Sequence, residues 1–476
     1  MDTNNSALKL HPSAGNSITL TLKIRNIPGQ LAEVIRSISE TGASLTEITL
    51  LSSDFHFKVR ELSFNCINEE HALEVVDAAK RLENVEILSW KDDTFALHEG
   101  GKLSINPKQK LKNADELSRS YTPGVARVCL DIFKKEEDSF KYTIKSHTIA
   151  IVTDGSAVLG LGNIGPEAAL PVMEGKAVLF KQFGGVDAFP ICLASQDTED
   201  IIKAVKLIEP VFGGINLEDI SAPRCFEIEE RLKNELKIPV FHDDQHGTAV
   251  VVLAGLHNAL KIVGKKLEDI KIVINGFGAG GVACAKILLN AGAKNITACD
   301  TNGIIYKGRP KGMNSVKEEM LKYINKDNMK GTLSDALRGA DMFLGVSAPG
   351  ALTRDMVKSM AKDPIVFSLA NPIPEIMPDL INDIAGVIAT GRSDYPNQIN
   401  NVLCFPGIFK GALACRATKI SEEMKKAAAL AIAESIPTNK LSKEYIIPGV
   451  FDFDIGSLVA EKVIQTASKH PSAPVC

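Results

Sequence analysis

The sequence has no excess of charge of either sign. Its 58 acidic residues nearly balance 54 basic ones, for a net charge of -4 with His neutral. No whole-chain field therefore draws phosphate backbones or anionic lipid, and neither nucleic acid nor a membrane surface is an expected partner. Long apolar runs are missing too. The most apolar stretches, such as Thr148 to Val152 and Ala428 to Ile432, fall far short of the ~20 residues a bilayer span requires. The start, M-D-T-N-N-S, lacks the basic and apolar regions of a secretory leader, so a cytoplasmic location is expected. No C-x-x-C pair occurs. The nine cysteines (Cys66, Cys129, Cys192, Cys225, Cys284, Cys299, Cys404, Cys415 and Cys476) are scattered and odd in number, which reads as reduced core thiols and argues against a zinc site. Aromatics are only 5%, but apolar residues total 45% and charged residues 24%. That is ordinary globular composition and excludes disordered, collagenous and coiled-coil chains. At about 150 residues per domain, 476 residues suggest roughly three compact units.

The first unit is read over 17–92. Ile18 to Ile24 reads as a strand. Leu31, Val34, Ile35 and Ile38 then recur at helical spacing up to Gly42, a helix stop. Leu45 to Leu51 and Leu62 to Ile67 alternate as strands. Glu69 to Leu82 reads as a helix with Leu73, Val76 and Ala79 on one face, and Val85 to Trp90 closes the order β-α-β-β-α-β. The stretch N-I-P-G-Q-L with Gly29 resembles an ACT domain. That resemblance implies a ferredoxin-like fold that binds an amino acid or similar metabolite as effector. The alternative is a subunit-pairing sheet without ligand. In either case the segment holds no cluster of acid, base and nucleophile.

A polar connector, His98 to Lys102, leads to a second unit over 102–240, with strand candidates Thr148 to Val152 and Ala177 to Phe180 and a helix from Thr198 to Ile208. A third, over 241–470, opens with a helix from Gly247 to Val263 and continues as a parallel α/β sheet. Two segments match G-x-G-x-x-G. Gly276, Gly278 and Gly281, with Ala279 and Gly280 between them, follow the strand Lys271 to Asn275 and open a helix, which places backbone N–H groups where a pyrophosphate sits. The next strand, Asn295 to Cys299, ends in Asp300, an acid suited to an adenosine ribose. Asp300 favours NAD, because a 2′-phosphate beside a carboxylate is repelled. Lys307, Arg309 and Lys311 follow closely and offer NADP a counter-charge, so both cofactors stay open. The other match, Gly160, Gly162 and Gly165, lacks such a βαβ unit and reads as a close-packed turn near the substrate.

Glu218 and Asp219 are adjacent in N-L-E-D-I, as are Asp243 and Asp244 in F-H-D-D-Q-H-G-T. Hard oxygen donors of this kind suit Mg²⁺ or Mn²⁺. His242 and His246 stand beside them as alternative ligands or structural residues. Tyr121 in Y-T-P-G-V-A and Lys176 in E-G-K-A-V-L-F are proton-transfer candidates, since a lysine beside an apolar strand is desolvated and its pKa lowered.

These motifs, with D-G-S-A-V-L-G-L-G-N-I-G, N-G-F-G-A-G-G, S-L-A-N-P and N-N-V-L-C-F-P-G, stand in one linear order from Leu103 to about Ala467 and resemble malic enzyme in its compact microbial form. The resemblance implies a Rossmann-like NAD(P)-binding domain after an α/β substrate domain. It implies oxidative decarboxylation of malate to pyruvate, and a homodimer or higher homo-oligomer. By the same resemblance Tyr121 is the general acid, Lys176 the general base and Asp243 its hydrogen-bonding neighbour. Glu218, Asp219 and Asp244 become the metal ligands. Asn371 and Asn401, or Asn400, hold substrate or nicotinamide. Where the larger form of the family carries a carboxylate-gripping arginine, this chain has Ala157, and Arg392 is the candidate replacement. A malolactic-type enzyme that releases lactate, and a non-catalytic sensor, are the rival readings.

Overall fold

The computed structural model describes residues 11–158 and 160–469, so Cys476 lies outside the described residues. The chain divides into two compact units, Met1–Lys102 and Leu103–Cys476.

The first unit runs β1 (Ser13–Arg25), α1 (Gln30–Ser39), β2 (Ser44–Ser53), β3 (Phe57–Cys66), α2 (Glu69–Lys80), β4 (Val85–Asp92) and a short α3 (Asp93–His98). The strands form an antiparallel sheet in the order β2-β3-β1-β4, as the βαββαβ pattern requires. Ile18, Leu20 and Leu22 of β1 are fully buried with Val34 and Ile38 of α1. On α2 six residues are buried, His71, Ala72, Val75, Val76, Ala78 and Ala79, and Ala72, Val75, Val76 and Ala79 among them make an i, i+3, i+4, i+7 stripe. Leu73, expected on that face, lies outside the stripe and is 49% exposed.

The second unit opens with α4 (Ala114–Ser120), α5 (Val125–Lys134) and α6 (Ser139–Tyr142), none of which has a buried residue. There follow β5 (Thr148–Thr153), α7 (Pro166–Gly184), β6 (Asp187–Cys192), α8 (Thr198–Ile208), β7 (Gly214–Leu217), α9 (Arg224–Glu235) and β8 (Val240–His242). These strands form a parallel sheet, β6-β5-β7-β8. The sequence expectation of a strand at Ala177 to Phe180 is incorrect: these residues lie inside α7. Met173, Ala177 and Phe180 are all buried, so a run that is apolar on successive residues is here a core helix.

Next comes α10 (Asp243–Val263), which starts four residues earlier than its apolar pattern suggests. By length and composition alone α10 could cross a membrane, contrary to the expectation that no apolar segment is long enough. Two-thirds of that window (67%) is buried inside the fold, as befits a core helix. A second sheet contains β9 (Lys271–Asn275), β10 (Asn295–Asp300), β11 (Gly303–Ile304), β12 (Met342–Gly345), β13 (Ile365–Ser368) and β14 (Val387–Thr390), in the order β11-β10-β9-β12-β13-β14. Only β11 runs antiparallel to its neighbour; α11 (Ala279–Asn290) connects β9 to β10. One core cluster joins residues of both sheets around α10, including Ile149, Phe180, Phe241, Val250, Ile274 and Phe367.

The cysteines are all free among the described residues. Cys66, Cys225, Cys284, Cys299 and Cys404 are buried, but Cys192 and Cys415 are half-buried and Cys129 on α5 is exposed, so these three are not core thiols.

Candidate active site

In open parallel sheets the carboxyl ends of the strands leave the crevice where ligands bind. Asp154 follows β5, Glu218 and Asp219 follow β7, and Asp243 and Asp244 follow β8. Glu218, Asp219 and Asp244 each bring an oxygen within 4.8 Å of the other two. Asp219 adopts a left-handed backbone, φ 54°, and its N–H donates to Asp244 Oδ2 at 2.8 Å, so one acid orients the other. Burial pushes the Glu218 carboxyl well above the usual range, with Asp244, Asp243 and Asp219 adding to the rise against Lys176. Crowded hard oxygens whose mutual repulsion a cation relieves fit Mg²⁺ or Mn²⁺.

Lys176 projects from α7 into the same pocket and is 8% exposed. Its Nζ lies 2.5 Å from Asp243 Oδ2, 2.9 Å from Glu218 Oε1 and 4.1 Å from the centre of the Phe405 ring. Burial opposes its charge, but Asp243 and Glu218 together hold the amine above the usual lysine range. This corrects the expected lowering: the lysine sits on a helix facing two carboxylates, not beside an apolar strand. Asn401 Nδ2 also donates to Asp243 Oδ2, while Asp243 Oδ1 is buried without a hydrogen-bond partner.

Three features of this pocket carried no sequence signal. Asp154, fully buried, binds the Ser156 hydroxyl at 2.6 Å and the Arg224 guanidinium at 2.9 Å. Ser156 Oγ in turn accepts from Ser221 N at 2.9 Å, so the loop carrying Ala157 is stitched to the segment after Asp219. Behind the acids, Glu229 on α9 accepts from His242 N at 3.0 Å and pairs with His246 at 2.9 Å. Burial lowers His246 to about 4, so its ring is neutral.

The glycine loop lies against this cluster. A Cβ on Gly280 would stand 3.4 Å from the Asp244 carbonyl oxygen. Gly276 (φ 97°) and Gly281 are glycines for packing, since a Cβ would come within 2.3 Å of Val346 O and 2.0 Å of Gly276 O respectively. A Cβ on Gly278 would meet nothing within 4 Å. Neither crowding nor a positive φ explains that glycine, but a backbone left open to a pyrophosphate at the start of α11 does. Asp300 ends β10 as expected, and the hydrogen bonds of Arg309 and Lys317 outweigh the upward push of burial to hold it at about 2.

The other candidates divide. Asn371 precedes a cis proline, and its carbonyl oxygen would lie 2.5 Å from a Cβ on Gly160, so the second glycine run is close-packed against the S-L-A-N-P segment at Gly160 only; a Cβ on Gly162 or Gly165 would meet nothing within 4 Å. Asn401 reaches Asp243. Asn400 instead caps the next turn, its Oδ1 accepting from Val402 N at 3.0 Å. Arg392 is committed to Asp394 at 2.8 and 2.6 Å and to Pro372 O at 3.0 Å. The guanidinium that reaches the Ala157 loop belongs to Arg224, 3.0 Å from Ser156 Oγ. Tyr121, at the end of α4, is 69% exposed, and no side-chain hydrogen bond ties it to Lys176.

Comparison with known proteins agrees with this geometry. The family profile described as malic enzyme, N-terminal domain, matches residues 100–233, and that described as malic enzyme, NAD binding domain, matches 245–379 and 382–468. The NAD-dependent malic enzyme of Geobacillus stearothermophilus is 54% identical over 97% of this chain and 96% of its own length. The bifunctional malic/malolactic enzyme of Bacillus subtilis is 56% identical over 80% of this chain and 93% of its own. Among solved structures, the NAD-dependent malic enzyme of Thermotoga maritima is 48% identical with a TM-score of 0.77, and 100% of it covers 79% of this chain. With carboxylates, buried lysine and glycine loop gathered at the strand ends, and with matches of this extent, the chain belongs to the malic enzyme family.

Proposed function

We propose that this chain oxidises (S)-malate with NAD(P) and releases pyruvate and CO₂. The observation that carries this is the convergence of Glu218, Asp219 and Asp244 beside Lys176 and against the loop at Gly280. When bound, a divalent cation held by those three acids supplies Lewis-acid polarisation of the substrate's C2 oxygen, and NAD(P) accepts the C2 hydride. Lys176 is assigned the proton of the C2 hydroxyl, which it can take once its own has passed to the hydrogen-bonded Asp243; the contacts of Asp243 with Lys176 and Asn401 support this reading. Tyr121 is assigned the proton delivered to C3 after CO₂ leaves. Asn371, at the mouth of the second sheet, is assigned to the nicotinamide end. The test is turnover of malate with Mn²⁺ and either cofactor, following reduced nicotinamide, pyruvate and lactate together. Pyruvate formed in step with reduced cofactor supports the proposal. Lactate formed with catalytic cofactor supports the malolactic reading, which the bifunctional Bacillus subtilis relative keeps in view. No turnover defeats both.

Two further parts of this reading concern assembly and control. We assign α4 and α5 to pairing with a second copy of the chain. Neither helix has a buried residue, yet Leu117, Leu130 and Phe133 are 50%, 59% and 88% exposed. Tyr121 lies between these helices, so the pairing would carry its phenol to the partner's Lys176. The unit ending at Lys102 is read as an ACT-like module that binds an amino acid or similar metabolite. Its β2-β3-β1-β4 sheet and the left-handed Gly29 (φ 88°) at the N-I-P-G-Q-L turn support this. Adding amino acids and central metabolites to the same assay tests it, and rates unchanged by all of them would leave the subunit-pairing role.

A further inference from the structure

In the second sheet the last residues of three adjacent parallel strands lie side by side. Asn275 of β9 pairs with Gly345 of β12, and Gly345 with Ser368 of β13. These are carboxyl ends, where an open α/β sheet takes its ligand. The fully buried carboxylate of Glu375 packs against this row. Gly345 makes the room for it, because a Cβ there would come within 2.4 Å of the Glu375 carboxyl carbon.

Glu375 joins two segments. Oε1 accepts from Ser347 N at 2.8 Å and Ser347 Oγ at 3.0 Å; Oε2 accepts from Ala370 N at 3.1 Å and Ser368 Oγ at 3.2 Å. The Ser347 hydroxyl also accepts from Asn275 Nδ2 at 2.8 Å, and Asn275 directly precedes Gly276, the first residue of the glycine loop. Gly276 packs on the same segment, since a Cβ there would stand 2.3 Å from Val346 O. On the other side, Ala370 directly precedes Asn371. One side chain thus ties the segment behind the glycine loop to the segment that carries Asn371.

A carboxylate suits this task and an amide does not. Its two oxygens offer about four lone-pair positions, and two backbone N–H groups and two hydroxyls fill them. A glutamine would turn its NH₂ group towards either Ser347 N or Ala370 N, donor against donor, and release one of the two segments. Burying a carboxylate is costly. Closing the loop does not by itself require it, because Leu352 N already holds the Glu375 carbonyl oxygen at 3.1 Å.

We propose that Glu375 is a positioning residue for the cofactor. Acting through Ser347 and Ala370, it holds Asn371 in fixed register with the glycine loop, so that a dinucleotide seated by its pyrophosphate has its nicotinamide end placed. This inference rests on the reading of residues 276–281 as the pyrophosphate loop and of Asn371 as the nicotinamide contact.

The test is calorimetric titration of the full chain with NADH and with ADP-ribose, which lacks the nicotinamide; neither needs turnover. In Glu375→Gln, NADH should bind at least about tenfold weaker than in the parent, with ADP-ribose within about threefold. Equal losses for both ligands would make Glu375 a general support of the sheet and overturn the proposal, as would unchanged NADH binding. Asn371→Ala should also weaken NADH selectively, and adding Glu375→Gln to it should cost little more, because both changes remove one contact; fully additive losses overturn the proposal. If Asn371→Ala binds NADH like the parent while Glu375→Gln does not, Asn371 is discarded as the contact and the register held by Glu375 stands. If Glu375→Gln does not fold, Ser347→Ala decides, since it cuts the link from Asn275 to Glu375 and leaves Ser347 N in place. NADH should then weaken at least about threefold while ADP-ribose holds, and unchanged NADH binding overturns the proposal. A parent chain that binds neither ligand removes the pyrophosphate loop as a cofactor site, and this inference with it.

Discussion

At residue scale a tight constraint beside the site is at Gly247. A Cβ there would stand 1.9 Å from Asp243 Oδ1, one helical turn earlier on α10. Helix propensity alone favours alanine over glycine by about 1 kcal/mol. The clash decides otherwise, because Asp243 must swing away and release Lys176 and Asn401. Gly247→Ala should therefore cut kcat by roughly 10² while the thermal midpoint changes little; normal turnover would show that the Asp243 orientation is dispensable. Asp244→Asn removes a ligand charge and should raise the Mn²⁺ needed for half-maximal rate at least about tenfold, and an unchanged Mn²⁺ titration would exclude it as a ligand. Four acids were legible in the sequence as adjacent pairs after apolar stretches, and the family resemblance selected Glu218, Asp219 and Asp244 from them. The state of Lys176 was not. Its two carboxylate neighbours arrive from β7 and α10, and no local pattern around E-G-K-A-V-L-F announces them. The same holds for Arg392, whose donors are taken by Asp394 and Pro372, and for Arg224, which holds a buried Asp154 from another element.

At element scale α10 joins the site to the core, and its first turn carries Asp243, Asp244 and His246. Acidic residues there are favoured by the helix dipole, which is why the helix starts before its apolar periodicity does. His246 Nε2 faces Glu229 and Nδ1 faces the Lys425 ammonium at 3.2 Å, with Lys233 also close. Burial first, then Lys425 and Lys233, lower the ring to about 4 from 6.5, while Glu229 opposes. The unfolded chain thus binds a proton that the folded chain refuses, and stability must rise with pH across that interval. Denaturation from above pH 6.5 down to about 4 should show a loss on the order of 3 kcal/mol at most from this group. His246→Gln keeps a donor and an acceptor but cannot titrate, so it should flatten the slope; an unaltered slope would assign the acid sensitivity elsewhere. The misread strand at Ala177 to Phe180 has a different cause: α7 buries one stripe, Met173, Ala177 and Phe180, but its outward face there is apolar too, with Val178 38% exposed. Periodicity separates helix from strand only when the wet face is polar.

At the scale of the whole molecule, the regular β-α order made the first sheet and the parallel cofactor sheet readable, because alternating strands and amphipathic helices leave few topologies open, whereas of the sheet β6-β5-β7-β8 only β5 was read. The proposed pairing of copies has no such trace beyond apolar residues on helices that bury nothing, α4 and α5. Mixing two inactive proteins tests the assigned pairing. Lys176→Ala and Tyr121→Phe should each lower turnover by about 10²–10⁴-fold. If phenol and amine of one site come from different chains, a mixed dimer holds one site with both groups intact and one with neither. Random pairing of equal amounts makes half the dimers mixed, so about a quarter of the parent activity should return. If both groups come from the same chain, every site in the mixture keeps one defect and no activity returns. Co-expression of the two variants under different affinity tags, with the doubly tagged fraction assayed alone, gives the reading directly: about half the parent rate in that fraction supports exchange between copies, and the rate of the single variants excludes it.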